Sequence, residues 1–395
     1  MTSRVFNPWV DTVLCGEGEQ ALADFLKPGV RIEGKDLQFS LEHLSELHLP
    51  AYFYVNPRRM VNLEAGRGCV FKCAFCYSPG HYSSARDFPI QEVLEQVCQF
   101  PKAGIAHVWF VEDNFLNNPG HAKEFCRELE LLQCGVTWSC YATFPQLSQD
   151  VIEMMSRAGC TEVFCGIDAV GTVAERAFQK AFLRGGNPMA TKIRQLTSAG
   201  IKPTCAFLVA PPSHQAGAGF NDSVLAALEA QAAGANTLLN PLSLYSGTVA
   251  YTKSAHKFEA DNSLAQMIMD LPDLAASNPF AQHHPALFPF HSRYVEAGEW
   301  RSLLAATRCV STLIHCYPKT LMAMNENAGI GPIDVAYKTI DQFEDWTTVP
   351  KEVAREVERD VGFAVLEQLV GDSGISGMLK SEYDSHRVAL SIADE

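Results

Sequence analysis

VNLEAGRGCVFKCAFCYSPG, residues 61–80, runs a short apolar stretch directly into a loop that holds three cysteines. The spacing is C-x3-C-x2-C, at Cys69, Cys73 and Cys76. Thiolates are soft ligands, and three of them this close suit a metal centre, whereas a closed tetrahedral site takes four. His81, just beyond Cys76, is the nearest fourth donor. The flanking Gly-Arg-Gly and Tyr-Ser-Pro-Gly read as loop rather than core. The pattern predicts a centre with three protein ligands and one open corner. A structural zinc site completed by His81 is the rival.

Beyond this loop, apolar runs alternate with amphipathic segments. The runs at 61–66, 105–113, 136–143, 161–169, 202–210 and 237–244 predict six strands. Apolar residues at helical spacing in 89–100, 121–132, 149–159, 189–200 and 222–234 predict a helix after each of the first five. Continuous apolar runs suit parallel strands buried on both faces. Six right-handed βα units predict an α/β fold, a partial (β/α)6 TIM-like barrel, whose functional residues sit at the C-terminal ends of the strands. Neither GxGxxG nor GxxxxGK[ST] occurs, so nucleotide-phosphate folds lose their main support. The pattern divides the chain into a short N-terminal segment, 1–58, the barrel, 59–250, and a mostly helical C-terminal region, 251–395, expected to cap the barrel and set specificity.

Of 395 residues, 47% are apolar and 19% charged, which suits a well-cored enzyme. The net charge of −14 works against a nucleic-acid substrate, whose phosphates call for a basic face. No apolar run is long enough for a membrane span and no signal peptide is evident, so a cytoplasmic enzyme is expected. The ten cysteines outside the cluster motif are scattered, which predicts that most of them are small buried hydrophobes in a reducing compartment.

The cysteine motif directly after the first strand, with Phe75 before the third cysteine, resembles the signature of the radical S-adenosylmethionine (SAM) superfamily. The resemblance implies a [4Fe–4S] cluster on Cys69, Cys73 and Cys76, with SAM on the open iron. It also implies a 5′-deoxyadenosyl radical that abstracts hydrogen from a peptide or small-metabolite substrate in a biosynthetic pathway, and a flavodoxin or ferredoxin as reductant. "VWFVEDNFLNN", "WSCYATF", "FCGIDA" and "CAFLVAPP" extend it towards the cobalamin-associated and methylthiotransferase-like branch. By that likeness Phe75 and Leu208 flank the adenine. Glu112 and Asp113 lie near the SAM amino group, Asp168 provides a carboxylate to SAM, and Ser139 and Tyr77 line the cofactor site. Three departures stand out: Asp168 replaces a Glu, Ala210 replaces a Gly, and no arginine follows Ser139 on the third strand.

"VDTVLCGEGEQALADFL", residues 10–26, resembles the last strand and helix of the cobalamin-binding domain that precedes the barrel in relatives. Only that remnant is expected here. A cobalamin-dependent methyltransferase that obtains its corrin by another route is the alternative, and His283, His284 and His291 are the only conceivable substitute ligands. Cys140, Cys165, Cys205, Cys309 and Cys316 are candidate hydrogen donors but read first as core; Tyr77, Tyr141 and Tyr245 are candidate cavity residues.

Overall fold

A computed structural model describes residues 14–16, 18–19, 22, 37–39, 60–180, 189–210, 219–242, 247–254, 297–343, 351–371 and 374–393. The histidine-rich stretch with His283, His284 and His291, the two prolines of LVAPP and Tyr245 lie outside these residues. Near the N-terminus, β1 (Leu14–Gly16) pairs in parallel with β2 (Leu37–Phe39). The barrel begins with β3 (Met60–Leu63), and the two-residue strands β4 (Gly66–Arg67) and β5 (Arg86–Asp87) close an antiparallel clasp around the cysteine loop. That clasp has no periodic signal, being only two residues on each side.

The remaining strands are β6 (His107–Phe110), β7 (Thr137–Ala142), β8 (Cys160–Asp168), β9 (Lys202–Val209) and β10 (Asn236–Pro241). They join β3 in one six-stranded sheet of order β10-β9-β8-β7-β6-β3, every pair parallel. The five expected helices form between them, at Ile90–Gln99, Pro119–Leu132, Gln149–Arg157, Met189–Ser198 and Phe220–Ala232. Asn118 caps the second of these, its side chain accepting from the His121 N–H at 3.3 Å, with Pro119 at the first helical position. A further short helix, Thr172–Phe178, follows β8. This is the partial (β/α)6 arrangement the sequence predicts.

The strands are not buried on both faces. On one face Phe110 and Trp138 lie edge-on to Phe125 of the helix Pro119–Leu132, at centroid distances of 5.4 and 6.1 Å. Val108, Phe110, Trp138, Cys140, Val163, Cys165, Cys205 and Phe207 on this face are fully buried. On the other face Trp109, Tyr141, Phe164 and Leu208 stay half-buried, while Ser139, Thr204 and Ala206 are buried. The runs look continuous in sequence because aromatic residues occupy the lumen face as well.

After the sheet, the helices Ala297–Cys316, Pro318–Ala328, Pro332–Ile340, Lys351–Val370 and Ser376–Ala393 form a helical layer packed on β10 and the helix Phe220–Ala232. Its interior holds Glu358, 1% exposed, paired with Arg308 at 2.8 Å and accepting from Thr312 at 2.8 Å. A buried charge is tolerable only when so satisfied. Glu382 accepts from the Lys319 and Thr320 N–H groups, capping the start of Pro318–Ala328. Among the described residues, no helix is long and apolar enough to cross a membrane.

One expectation about the cysteines is corrected. Cys98 and Cys134 are not isolated hydrophobes: they form a disulfide across a Cα–Cα distance of 5.0 Å. The last turn of Ile90–Gln99 lies beside the turn that ends Pro119–Leu132, which brings together two residues 36 apart in sequence.

Candidate cofactor site

The cysteine loop leaves β3 at the C-terminal edge of the sheet, where parallel folds place their sites. Gly68 holds a φ of +77°, and a Cβ there would stand 2.6 Å from the Ser84 carbonyl oxygen, so only glycine fits the clasp. Asn117 fastens the loop from the end of β6. Its Oδ1 accepts from the Val70 N–H at 3.0 Å and its Nδ2 donates to the Gly68 carbonyl at 2.7 Å. Asn114, 1% exposed, donates to Asn117 and to Gln146 and lies within hydrogen-bonding reach of the Cys69 sulfur. Further along, the Ala74 N–H donates to the Phe178 carbonyl and the Ala74 carbonyl accepts from Ala250, both at 2.8 Å. The loop is therefore pinned to three separate elements.

Cys69, Cys73 and Cys76 are half-buried, whereas the seven other free cysteines whose side chains are described are buried. Burial raises the pKa of all three thiols, that of Cys73 to about 11. The neighbouring thiolates add to that of Cys73, and the Lys180 ammonium partly offsets it. Three thiols that resist ionisation in the bare loop, yet face solvent, suit a cationic centre that ionises them on binding. Among the described residues no three His, Cys, Asp or Glu side chains gather closely enough for a single metal ion. Three half-buried cysteine thiols in one loop are the donor set that an iron–sulfur cluster takes, so the residues present fit the group the motif implies. His81 packs edge-on to Tyr82, with centroids 4.6 Å apart.

Glu112 and Asp113 are adjacent in sequence and part company in space. Asp113 accepts from the Ser78 hydroxyl at 2.7 Å and acts electrostatically on Cys69, Cys76 and Tyr77. Glu112 is 6% exposed, accepts from the Ala65 N–H at 3.3 Å and lines a small cavity with Asp87, Asn117 and His121. Burial raises its pKa to about 8, so it holds its proton at neutral pH. Ser139 sits in the N-terminal half of β7, with its hydroxyl 2.9 Å from His107 Nε2, away from the edge where the sequence reading placed it.

Asp168 ends β8 at a φ of +61°, just past a register shift between Gly166 and Asp168 against β9. Its carboxylate pairs with Lys180, which is 6% exposed and stands 5.7 Å from the Phe75 ring centre. A Cβ on Gly166 would fall 2.6 Å from the Asp168 Oδ2 and 3.2 Å from the Lys180 Nζ, so a side chain there would displace this pair. Phe75 packs edge-on to Phe178 at 5.3 Å. Leu208 lies near the end of β9, and Tyr77 is 53% exposed at the start of the turn Ser78–His81. Lys180, Asn114 and Asn117 escaped the sequence reading. The missing arginine after Ser139 was the one signal that another cation was wanted.

Residues 63–215 match the family model described as the radical SAM superfamily. The barrel thus carries a match to the radical SAM domain, a superfamily whose enzymes use a [4Fe–4S] cluster and SAM. A curated relative, "Uncharacterized methyltransferase sll1242" of Synechocystis, is 23% identical over 228 residues, covering 55% of this chain and 42% of its own length. The chain thus spans less than half of that relative. In fold, the chain is similar to the cobalamin-dependent SAM radical enzyme OxsB, solved with aqua-cobalamin and SAM, at a TM-score of 0.55 and 12% identity, covering 97% of this chain and 69% of the other. The radical SAM methyltransferase TsrM of Kitasatospora setae, solved with cobalamin and a [4Fe–4S] cluster, aligns at a TM-score of 0.43 and 17% identity over 50% of this chain and 39% of its own.

Proposed function

We propose that Cys69, Cys73 and Cys76 hold the [4Fe–4S] cluster and that this site cleaves SAM to initiate hydrogen abstraction from a peptide or small-molecule substrate in a biosynthetic pathway. The observation that carries the reading is the exposure of these three thiols at the sheet edge beside the buried Lys180–Asp168 pair. Held by these three cysteines, a [4Fe–4S] cluster would supply the single electron needed to cleave the SAM sulfonium into methionine and a 5′-deoxyadenosyl radical able to take a hydrogen atom from a substrate carbon.

The chain's own residues bind and orient. Lys180 takes the SAM carboxylate, filling the place of the arginine absent from β7, while Asp168 and Asp113 accept from the SAM ammonium. Phe75 and Leu208 wall the adenine, and their apolar faces keep water from the reacting carbon. Glu112, protonated and turned to Ala65, supports the loop rather than the cofactor. A small acidic carrier such as a flavodoxin or ferredoxin supplies the electron.

Anaerobic reconstitution should give about four irons per chain and 5′-deoxyadenosine on addition of SAM and dithionite. Formation of 5′-deoxyadenosine by Cys73→Ala at the wild-type rate would refute the assignment.

A second reading rests on the relative described as a methyltransferase and on the fold shared with a cobalamin-dependent enzyme across 97% of this chain. In that reading the N-terminal β1–β2 pair belongs to a corrin-binding element and the product is methylated. Cobalamin retained through purification from corrin-supplemented cells would select it; full turnover without corrin would end it.

A further inference from the structure

The lumen face of the sheet carries groups that the cofactor reading leaves unused. β6, β7 and β8 each present one ring to it, Trp109, Tyr141 and Phe164, with centroids 5.6 and 5.1 Å apart along the row. Next to them on the same face, β9 and β10 contribute the buried Ala206, together with Leu208 and Leu238, the last 38% exposed. A barrel filled by its own side chains buries such residues, yet all three rings remain half-buried. This face therefore keeps an aromatic row in partial contact with solvent, beside the buried Ser139, Thr204 and Ala206.

Below the rings the lumen turns polar. Thr204 Oγ1 donates to Glu162 at 2.8 Å, and Ser139 Oγ lies 2.9 Å from His107 Nε2. The Thr137 hydroxyl donates to the Ala106 carbonyl at 3.3 Å and so accepts from His107 Nδ1 at 2.8 Å. With Ser139 donating to Nε2, the arrangement suits the neutral imidazole. Burial pulls the His107 pKa below its usual value, in keeping with that form. Lys202, the Cα partner of Glu162 on β9, is exposed and forms no ion pair with it among the described residues. Among the described residues Glu162 is thus a half-buried carboxylate with no lysine or arginine partner, hydrogen-bonded to Thr204 and within electrostatic reach of His107, at the foot of an aromatic wall.

We propose that the lumen is a substrate pocket for an arylalkylamine group, its ring stacked along Trp109, Tyr141 and Phe164 and its ammonium taken by Glu162. The inference rests on the radical SAM reading, which opens the site to the same lumen. Phe164 stands two residues above Glu162, about 7 Å along the strand at 3.3 Å per residue. That spacing matches the reach from the amine to the ring of a two-carbon arylamine. Aromatic faces attract both flat rings and ammonium groups, whereas an anionic ring meets the Glu162 charge and a net −14 on the chain.

The test uses the anaerobically reconstituted protein with SAM and three matched probes: phenethylamine, 3-phenylpropionate and 2-cyclohexylethylamine. Binding is read by calorimetry or ligand-observed NMR. Phenethylamine should bind roughly tenfold tighter than 3-phenylpropionate and about threefold tighter than 2-cyclohexylethylamine. Glu162→Gln should erase most of the first preference, and Phe164→Leu most of the second. Cys165→Ala, on the helix side of β8, should leave both intact. Equal affinity for the three probes, preferences untouched by Glu162→Gln, or no saturation below about 10 mM would overturn the proposal. Iron content and 5′-deoxyadenosine are measured on the same samples. Their loss in the wild type sinks the cofactor reading; normal values without amine preference sink the lumen pocket alone.

Discussion

The two faces of the six-stranded sheet are built from the same strands and do opposite work. Towards the helices, Cys140, Cys165 and Cys205 are fully buried, and burial raises their thiol pKa far above the usual range for Cys140 and Cys165 and to about 12 for Cys205. Towards the lumen and the loop edge, side chains of similar chemistry keep water contact and meet charged partners. What separates a structural cysteine from a ligand is therefore its side of the sheet and its exposure. The strand cysteines weighed as hydrogen donors all point to the helix side, which leaves Tyr141 as the hydroxyl on the lumen row.

The sharpest test of that contrast compares two cysteines. Cys73→Ala should remove the cluster and all 5′-deoxyadenosine formation, whereas Cys165→Ala should retain both and lower stability by about 1–2 kcal/mol. Iron analysis and product chromatography decide it, and equal behaviour would dissolve the distinction between the faces.

Two phenylalanines extend the comparison to packing. Phe110 is fully buried against Phe115, Phe125 and Trp138, so Phe110→Ala should cost about 3–5 kcal/mol in urea unfolding. Phe164→Ala, on the lumen wall, should cost about 1 kcal/mol because less surface is withdrawn from water. Similar losses would mean that the lumen is core after all.

Lys180→Met should lower kcat/KM for SAM cleavage about 10- to 100-fold, mainly through KM, equivalent to roughly 1.4–2.7 kcal/mol. Lys180→Arg should recover part of it. A variant that lost stability but kept its KM would make the Lys180–Asp168 pair structural only.

The smallest effect concerns Glu112. Its folded-state pKa near 8 stands above the usual carboxylate value, so the fold favours the protonated form. The stabilisation is complete below about pH 4.5 and is lost as pH rises through 8. Between pH 6 and 9 the wild-type urea midpoint should fall while that of Glu112→Gln stays level, a relative shift of roughly 1–2 kcal/mol. A parallel decline in both would place the pH dependence elsewhere.

The cysteine motif was legible in sequence because its ligands are local: three thiols in eight residues share one loop whatever surrounds them. The six βα units were legible for a similar reason, since strand and helix periodicities are written along the chain and parallel pairing follows from their alternation. Trp109 and Phe110 show where that stops. Both are aromatic and adjacent, and nothing local tells which faces the lumen; Phe110 is fixed by Phe125 and Trp138, which are brought to it by helix and sheet packing.

The sequence by itself thus determined the barrel's element order, the three-thiol loop and the class of cofactor it calls for. Only the tertiary structure decided that Lys180 pairs with Asp168, that Glu112 turns inward while Asp113 turns to the cysteines, that Ser139 sits deep, and that Cys98 meets Cys134. The physical reason is range. Ligand spacing and hydrophobic period are carried by neighbouring residues, whereas burial, pairing and pKa arise from groups that only the folded packing brings within a few ångströms of one another.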